Sequence, residues 1–154
     1  MCNGTVMPNG RYTPTNIFLL CQEYEVDFDN LRLLCIFCKE ELTESELLAF
    51  ALRELLLVWR FGFPYGVCLQ CLFREAKKRE LRHWEYSSYG PTVEEETGVA
   101  LALQNIRCHA CCKPLCWPEK EHMIHANLHF HKIAGKWTGK CSNCRAICMA
   151  RRRL

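Results

Sequence analysis

Hydrophobic residues come in short bursts separated by polar and turn-forming residues, which predicts many short elements rather than a few long ones. Between Asn16 and Glu25, Ile17, Leu20 and Cys21 fall on one face of a short helix. A second helix is predicted from about Asp27, with Phe28, Leu31 and Leu34 inward and Asp27 or Asp29 as cap. Thr43-Glu44-Ser45-Glu46 is a capping box that opens a helix toward Arg53. Leu55 to Arg60 is a strand candidate, and Phe61 to Gly66 supplies turn chemistry. The plan then recurs. Pro118 suits a first helical position, and Glu119 and Glu121 lie near the positive helix end. Leu128 to Ile133 reads as a strand, Ala134-Gly135 as a turn and Lys136 to Gly139 as the returning strand.

The stretch from Leu69 to about Ser88 is helical in composition, with Leu72, Ala76, Leu81 and Trp84 inward and Arg74, Lys77, Lys78, Arg79, Glu80 and Arg82 outward. Gly90-Pro91 is expected to break it, and Thr92 with Glu95 to cap another helical stretch. Residues 1–16, rich in Asn, Gly, Thr and Pro, are expected to form a flexible arm.

Thirteen cysteines in 154 residues change this picture, because a chain so rich in thiols is stapled by disulfides or by metal. The first residues lack the apolar segment of a secretory signal. The longest apolar stretch, Leu47 to Trp59, is broken by Arg53 and Glu54 and is too short to cross a bilayer. An intracellular chain keeps its thiols reduced, which favours metal, with paired disulfides as the alternative.

Eight cysteines form four CxxC pairs: Cys35/Cys38, Cys68/Cys71, Cys108/Cys111 and Cys141/Cys144. The gaps are 29, 36 and 29 residues, so adding 73 to the first four positions gives the second four. Gly62/Gly135, Gly66/Gly139, Leu42/Leu115 and Glu46/Glu119 share that offset, which marks an internal duplication. Each half holds a four-thiolate set suited to one structural zinc ion. A half of this size cannot build a sufficient core alone, so metal supplies folding energy. Cys112 and Cys116 could compete as ligands but have no counterparts at the offset, and neither do His122, His125, His129 and His131, which read as surface or half-buried residues.

The formal charge is +3. Eight thiolates (−8) with two zinc ions (+4) take it to −1, which predicts little global attraction to nucleic acid and a tendency to self-associate as a homodimer. Basic residues in 74–82, Arg145 and Arg151 to Arg153 leave room for weak, non-specific DNA binding. The interleaved ligands of a RING-type ligase are not seen, since each half is self-contained, so no enzyme is expected.

The frame C-x2-C-x29-C-x2-C-x36-C-x2-C-x29-C-x2-C resembles papillomavirus early protein six, a small viral oncoprotein family. Phe63-Pro64-Tyr65, Lys113-Pro114-Leu115 and Gly135-Lys136-Trp137-Thr138-Gly139 support the likeness. It implies a zinc-stabilised α+β fold of two homologous small domains, each with short helices and a small antiparallel sheet, joined by a long linker helix. The division expected is an arm over 1–16, zinc domains over 17–71 and 108–144, a linker over 72–107 and a basic tail over 145–154.

The resemblance further implies an adaptor that clamps an acidic LxxLL helix. The helix would come from a host HECT-type ubiquitin ligase, whose recruitment redirects degradation to regulators such as a tumour-suppressor transcription factor and inhibits apoptosis and innate immunity. A second branch of the family binds a Mastermind-like coactivator instead. Host nucleus and cytoplasm are the implied locations. Groove walls carried over are Ile36, Phe37, Leu55, Val58, Val67 and Leu72, with Arg107 and Lys136 as bases; Leu55 and Val58 are equally readable as core. Glu75 and Ala134 depart from the family pattern and weaken the cationic side. Arg152 stands where the family's PDZ-binding tail has threonine, so no PDZ partner is expected.

Overall fold

The computed structural model describes residues 4–6 and 12–152. The chain divides into two compact units, Met1–Leu72 and Phe73–Leu154. The first holds β1 (Gly4–Val6), β2 (Tyr12–Pro14), α1 (Ile17–Glu23), a 3-10 turn (Phe28–Asn30), β3 (Leu34–Cys35), α2 (Glu44–Leu52), β4 (Val58–Arg60) and β5 (Phe63–Gly66). Helix α3 (Leu69–His83) starts in it and continues into the second. The second unit follows with β6 (Trp84–Ser88), α4 (Gly90–Thr97), a 3-10 turn (Leu101–Leu103), β7 (Arg107–Cys108), α5 (Trp117–His125), β8 (Phe130–Ile133), β9 (Lys136–Gly139) and α6 (Ser142–Arg152).

The duplication reaches further back than the cysteines reveal. At the 73-residue offset, α1 matches α4, one 3-10 turn matches the other, and α3 matches α6. Left-handed residues recur in register: Glu25 and Gly98, Lys39 and Cys112, Glu54 and Asn127, Phe61 and Ala134, Gly62 and Gly135. So do tertiary main-chain bonds. Leu42 N–H donates to Leu33 O at 2.9 Å and Leu115 N–H to Ile106 O at 2.8 Å; Ile36 N–H donates to Gly66 O and His109 N–H to Gly139 O, both at 2.9 Å. Apart from the two-stranded β1-β2 pair, each sheet is a β-hairpin joined by a two-residue parallel strand, in the orders β3-β5-β4 and β6-β8-β9-β7, with β6 added antiparallel to β8 at the edge of the second. These sheets are therefore mixed rather than wholly antiparallel.

Burial explains why so few identities are needed. Leu20, Leu33, Leu42, Phe50 and Leu57 lie in the first core, and Val93, Ile106, Leu115, Met123 and Phe130 occupy the same positions in the second. The replacements keep an apolar side chain of core size, which is what packing requires. Two positions break the rule, and at one of them Gly90 stands where Ile17 is buried. At the other, Lys120 is buried where Leu47 is buried, and its ammonium donates to Leu101 O and Gln104 O at 2.8 and 2.5 Å.

Several expectations are corrected. The predicted helix to Ser88 stops at His83, and Trp84 to Ser88 form β6 against β8, a partner more than 40 residues on. Accordingly Leu81 (73% exposed) and Trp84 (53%) do not point into a core, whereas Leu72 and Ala76 do. Gly90-Pro91 opens α4 instead of ending a helix, because proline fits the first turn where its missing N–H costs nothing. The predicted helix from Asp27 is only a 3-10 turn, with Leu33 buried and Leu34 exposed.

The arm expected over 1–16 is paired as β1 and β2 over its described residues and tied down by two bonds. Thr15 O accepts Leu57 N–H, and Pro14 O accepts the Trp59 indole N–H, each at 2.8 Å. Residues 1–3 and 7–11 of that expectation lie outside the described residues. The basic tail is helical through Arg152 as part of α6; Arg153 and Leu154 lie outside the described residues.

Candidate metal centres and peptide groove

Two groups of four cysteines converge: Cys35, Cys38, Cys68 and Cys71 in the first unit, and Cys108, Cys111, Cys141 and Cys144 in the second. Within each group all sulfurs lie within 4.8 Å of one another. Each first pair sits on the tight loop after β3 or β7, where Cys35 N–H donates to Glu40 O and Cys108 N–H to Lys113 O, both at 2.8 Å. The second pair flanks the start of α3 or α6, so the fourth ligand lies in the helix's first turn.

Zinc fits this donor set. A tetrahedral site with Zn–S of about 2.3 Å has sulfur–sulfur edges of about 3.8 Å. Cys38 and Cys68 stand 3.8 Å apart, and Cys111 and Cys141 stand 3.7 Å apart. Those separations are far beyond a disulfide bond, and none of the described cysteines is bridged.

The electrostatics point the same way, since four thiolates so close require a dication. In the first site burial pushes Cys35 up, but the N–H groups of Cys38, Cys68 and Phe37 outweigh it and hold the thiol at about 6. Burial raises Cys68 and lifts Cys71 to about 12. In the second, the hydrogen bond from Cys111 holds Cys108 at about 4, and that same contact, with burial, drives Cys111 up. Burial, then the Cys108 charge, lifts Cys144 to about 12. Each apo site thus favours one thiolate and resists two more, Cys68 and Cys71 in the first and Cys111 and Cys144 in the second, until a bound dication reverses the balance. Backbone donors stand ready for the charge: Ala110 N–H and Cys141 N–H reach Cys108 Sγ at 3.4 Å each. Among the described residues no histidine joins either group.

The sequence marks Glu46 and Glu119 as a repeat pair at helix starts, but not their second contacts. Glu46 accepts from Leu69 N–H at 2.8 Å and Glu119 from Ser142 N–H at 2.7 Å, each just after a metal-site cysteine. Glu119 is 5% exposed; burial raises its carboxyl, but the donors at Ser142 and Cys116 and the Lys113 charge together hold it at about 2. The signal available in the sequence was the repeat itself, which singled out two acids that bind nothing in the capping box that a glutamine could not.

The groove positions carried over from the resemblance divide between the units. In the first, Ile36 and Phe37 ride on the metal loop, Ile36 tethered to Gly66 next to Val67. Val58 lies on β4 opposite Tyr65. Phe37 is 51% exposed, Ile36, Val58 and Val67 are half-buried, and Leu72 is buried. Leu55 packs against the first core. In the second unit Lys136 is exposed at the start of β9, and half-buried Arg107 donates to Cys112 O at 2.8 Å.

Glu75 and Ala134, the two departures from the family pattern, line one cavity of about 340 Å³ together with Lys78, Arg79, Arg82 and His83. Lys78 pairs with Glu75 at 3.2 Å, and Arg79 and Arg82 keep the cavity cationic.

A model of the family described as Early Protein (E6) matches residues 35–144. Protein E6 of human papillomavirus type 61 is 64% identical over 142 residues, covering 92% of this chain and 97% of that protein. Protein E6 of human papillomavirus 57 is 54% identical, covering 88% and 89% respectively. A solved structure, the C-terminal zinc-binding domain of HPV51 oncoprotein E6, is 42% identical, with a TM-score of 0.37 over 45% of this chain and 86% of its own. With the eight metal-site cysteines inside the matched span and such identity along nearly the whole length, the chain belongs to the E6 family of papillomavirus early proteins.

Proposed function

We propose that the protein is a viral adaptor whose first unit binds the leucines of a host LxxLL helix, recruiting a HECT-type ubiquitin ligase to host regulators of apoptosis and innate immunity in the nucleus and cytoplasm. The observation that carries this reading is the contrast between the two halves. At the offset of 73, Ile36, Phe37, Val58, Val67 and Leu72 correspond to His109, Ala110, His131, Lys140 and Arg145. The second half builds the same backbone with polar or small residues there. Leu72 is buried and Val67 packs against the first core, so those two also serve the fold, whereas Ile36, Phe37 and Val58 lie outside that core. A half-exposed apolar set that the fold does not need is better explained by a partner. Helix-in-groove recognition fits its chemistry.

The family resemblance also allows a Mastermind-like coactivator as the partner. The test is side-by-side binding of the zinc-loaded protein to an LxxLL peptide from each class. Preference for the ligase peptide by tenfold or more supports this reading. Preference for the coactivator peptide moves the function to transcriptional repression, and binding of neither removes the groove.

A further inference from the structure

Glu46 and Glu119 coordinate nothing in either four-sulfur group, yet each touches the backbone beside it. One oxygen closes a capping box: Glu46 Oε1 accepts Thr43 N–H at 3.1 Å, and Glu119 Oε1 accepts Cys116 N–H at 3.3 Å. The other leaves its own helix. Glu46 Oε2 takes Leu69 N–H and Glu119 Oε2 takes Ser142 N–H, the first residues of α3 and α6. Those residues sit between the third and fourth cysteines of each site, after Cys68 and Cys141 and before Cys71 and Cys144. One carboxylate therefore caps two helices, and the second of them carries a metal ligand.

We propose that Glu46 and Glu119 are positioning residues of the two metal sites, fixing the third and fourth thiolates from outside the coordination shell and slowing metal release. A capping box by itself accepts glutamine as readily as glutamate. Here both oxygens accept, and an amide has only one acceptor, so the second bond requires the carboxylate. Outer partners that orient ligands in this way commonly change metal affinity by ten- to a hundredfold when removed.

The two sites are unequal. Glu119 is buried and also accepts from the Cys116 thiol at 3.2 Å and from Lys113 Nζ at 3.5 Å. Glu46 is half-buried, and its site includes the exposed Cys38, whereas no cysteine of the second site is exposed. The first site therefore releases its ion first.

The test uses the full chain loaded with two zinc ions and mixed with excess of a chromophoric chelator. Wild type should release metal in two phases of one ion each. Glu46→Gln should speed the fast phase about tenfold and leave the slow one, and Glu119→Gln should do the reverse. Thr43→Ala breaks the capping box but leaves the Glu46–Leu69 bond, so it should weaken α2 while release stays within twofold of wild type. A Glu119→Gln chain recovered with a single ion, and alkylated by iodoacetamide at Cys141 and Cys144 but not at Cys35 and Cys38, supports the proposal equally. Wild-type release by both glutamine variants, acceleration by Thr43→Ala equal to that of Glu46→Gln, or alkylation spread over both sites overturns it.

Discussion

Replacing Val58 by His and Val67 by Lys gives the first unit the residues that the second carries at the same backbone positions, His131 and Lys140. Both valines are half-buried in the free chain. A fully buried valine is worth roughly 1.5–3 kcal/mol, so covering the exposed half of each contributes about 1 kcal/mol. The lysine adds a further cost, because its ammonium must be kept hydrated beside leucine side chains. The double variant should lose on the order of 3 kcal/mol of LxxLL binding, about a hundredfold in Kd. Fluorescence anisotropy with a labelled LxxLL peptide reads the loss, and zinc content measured on the same sample reads the fold. Two bound ions with peptide affinity within threefold of wild type would refute the groove, since the change would have removed its walls without consequence.

Zinc loading of the apo chain at pH 7 should release at least two protons per ion, from Cys68 and Cys71 in one site and Cys111 and Cys144 in the other, because these thiols are raised and bind protons until metal displaces them. Calorimetry in two buffers of different ionisation enthalpy counts them, and fewer than two contradicts the electrostatics. Cys35→Ser and Cys141→Ser should each lose one ion and Cys112→Ser none, as counted by native mass spectrometry. Gly139→Ala should destabilise by about 1–3 kcal/mol in denaturant melts, because its Cβ would lie 2.7 Å from Leu115 Cδ1 and 3.0 Å from Met123 Sδ. Gly66→Ala, whose nearest neighbour is the Leu42 Cδ2 tip at 3.2 Å, should cost less than half as much.

What could be read from the sequence was local or chemically rare. The eight ligands announce themselves because zinc needs thiolates in fixed pairs, and Thr43 caps α2 as its box predicts, since the determinants lie within four residues. Trp84 to Ser88 read as helix because their strand partner, Phe130 to Ile133, is remote and the preceding charged helix runs straight into them. The true start of the repeat was hidden for a different reason. Ile17 and Gly90, Glu25 and Gly98, and Phe28 and Leu101 share backbone conformation or element without sharing identity. Glu46 illustrates both limits: its bond to Thr43 is local and legible, while its bond to Leu69 spans 23 residues and needs the fold.

The duplication separates scaffold from surface more sharply than exposure does. Leu55 is matched by Leu128, and each packs against its own core after a left-handed residue, Glu54 or Asn127. An apolar residue kept in both halves answers a need that both share, which is the fold. Leu55→Ala should therefore lower stability and zinc retention together with peptide binding, and it cannot by itself locate the groove. Leu52-Arg53-Glu54-Leu55-Leu56 reads as an LxxLL motif, but α2 ends at Leu52 and Glu54 has φ of 53°, so its leucines do not share a helical face. A motif acts through the conformation that presents it, and here the left-handed turn commits Leu55 to the core. The residues free to bind a partner are those outside the cores at which the halves have diverged while the backbone has not, and half-buried Val58, which lies outside the first core, tests this most directly.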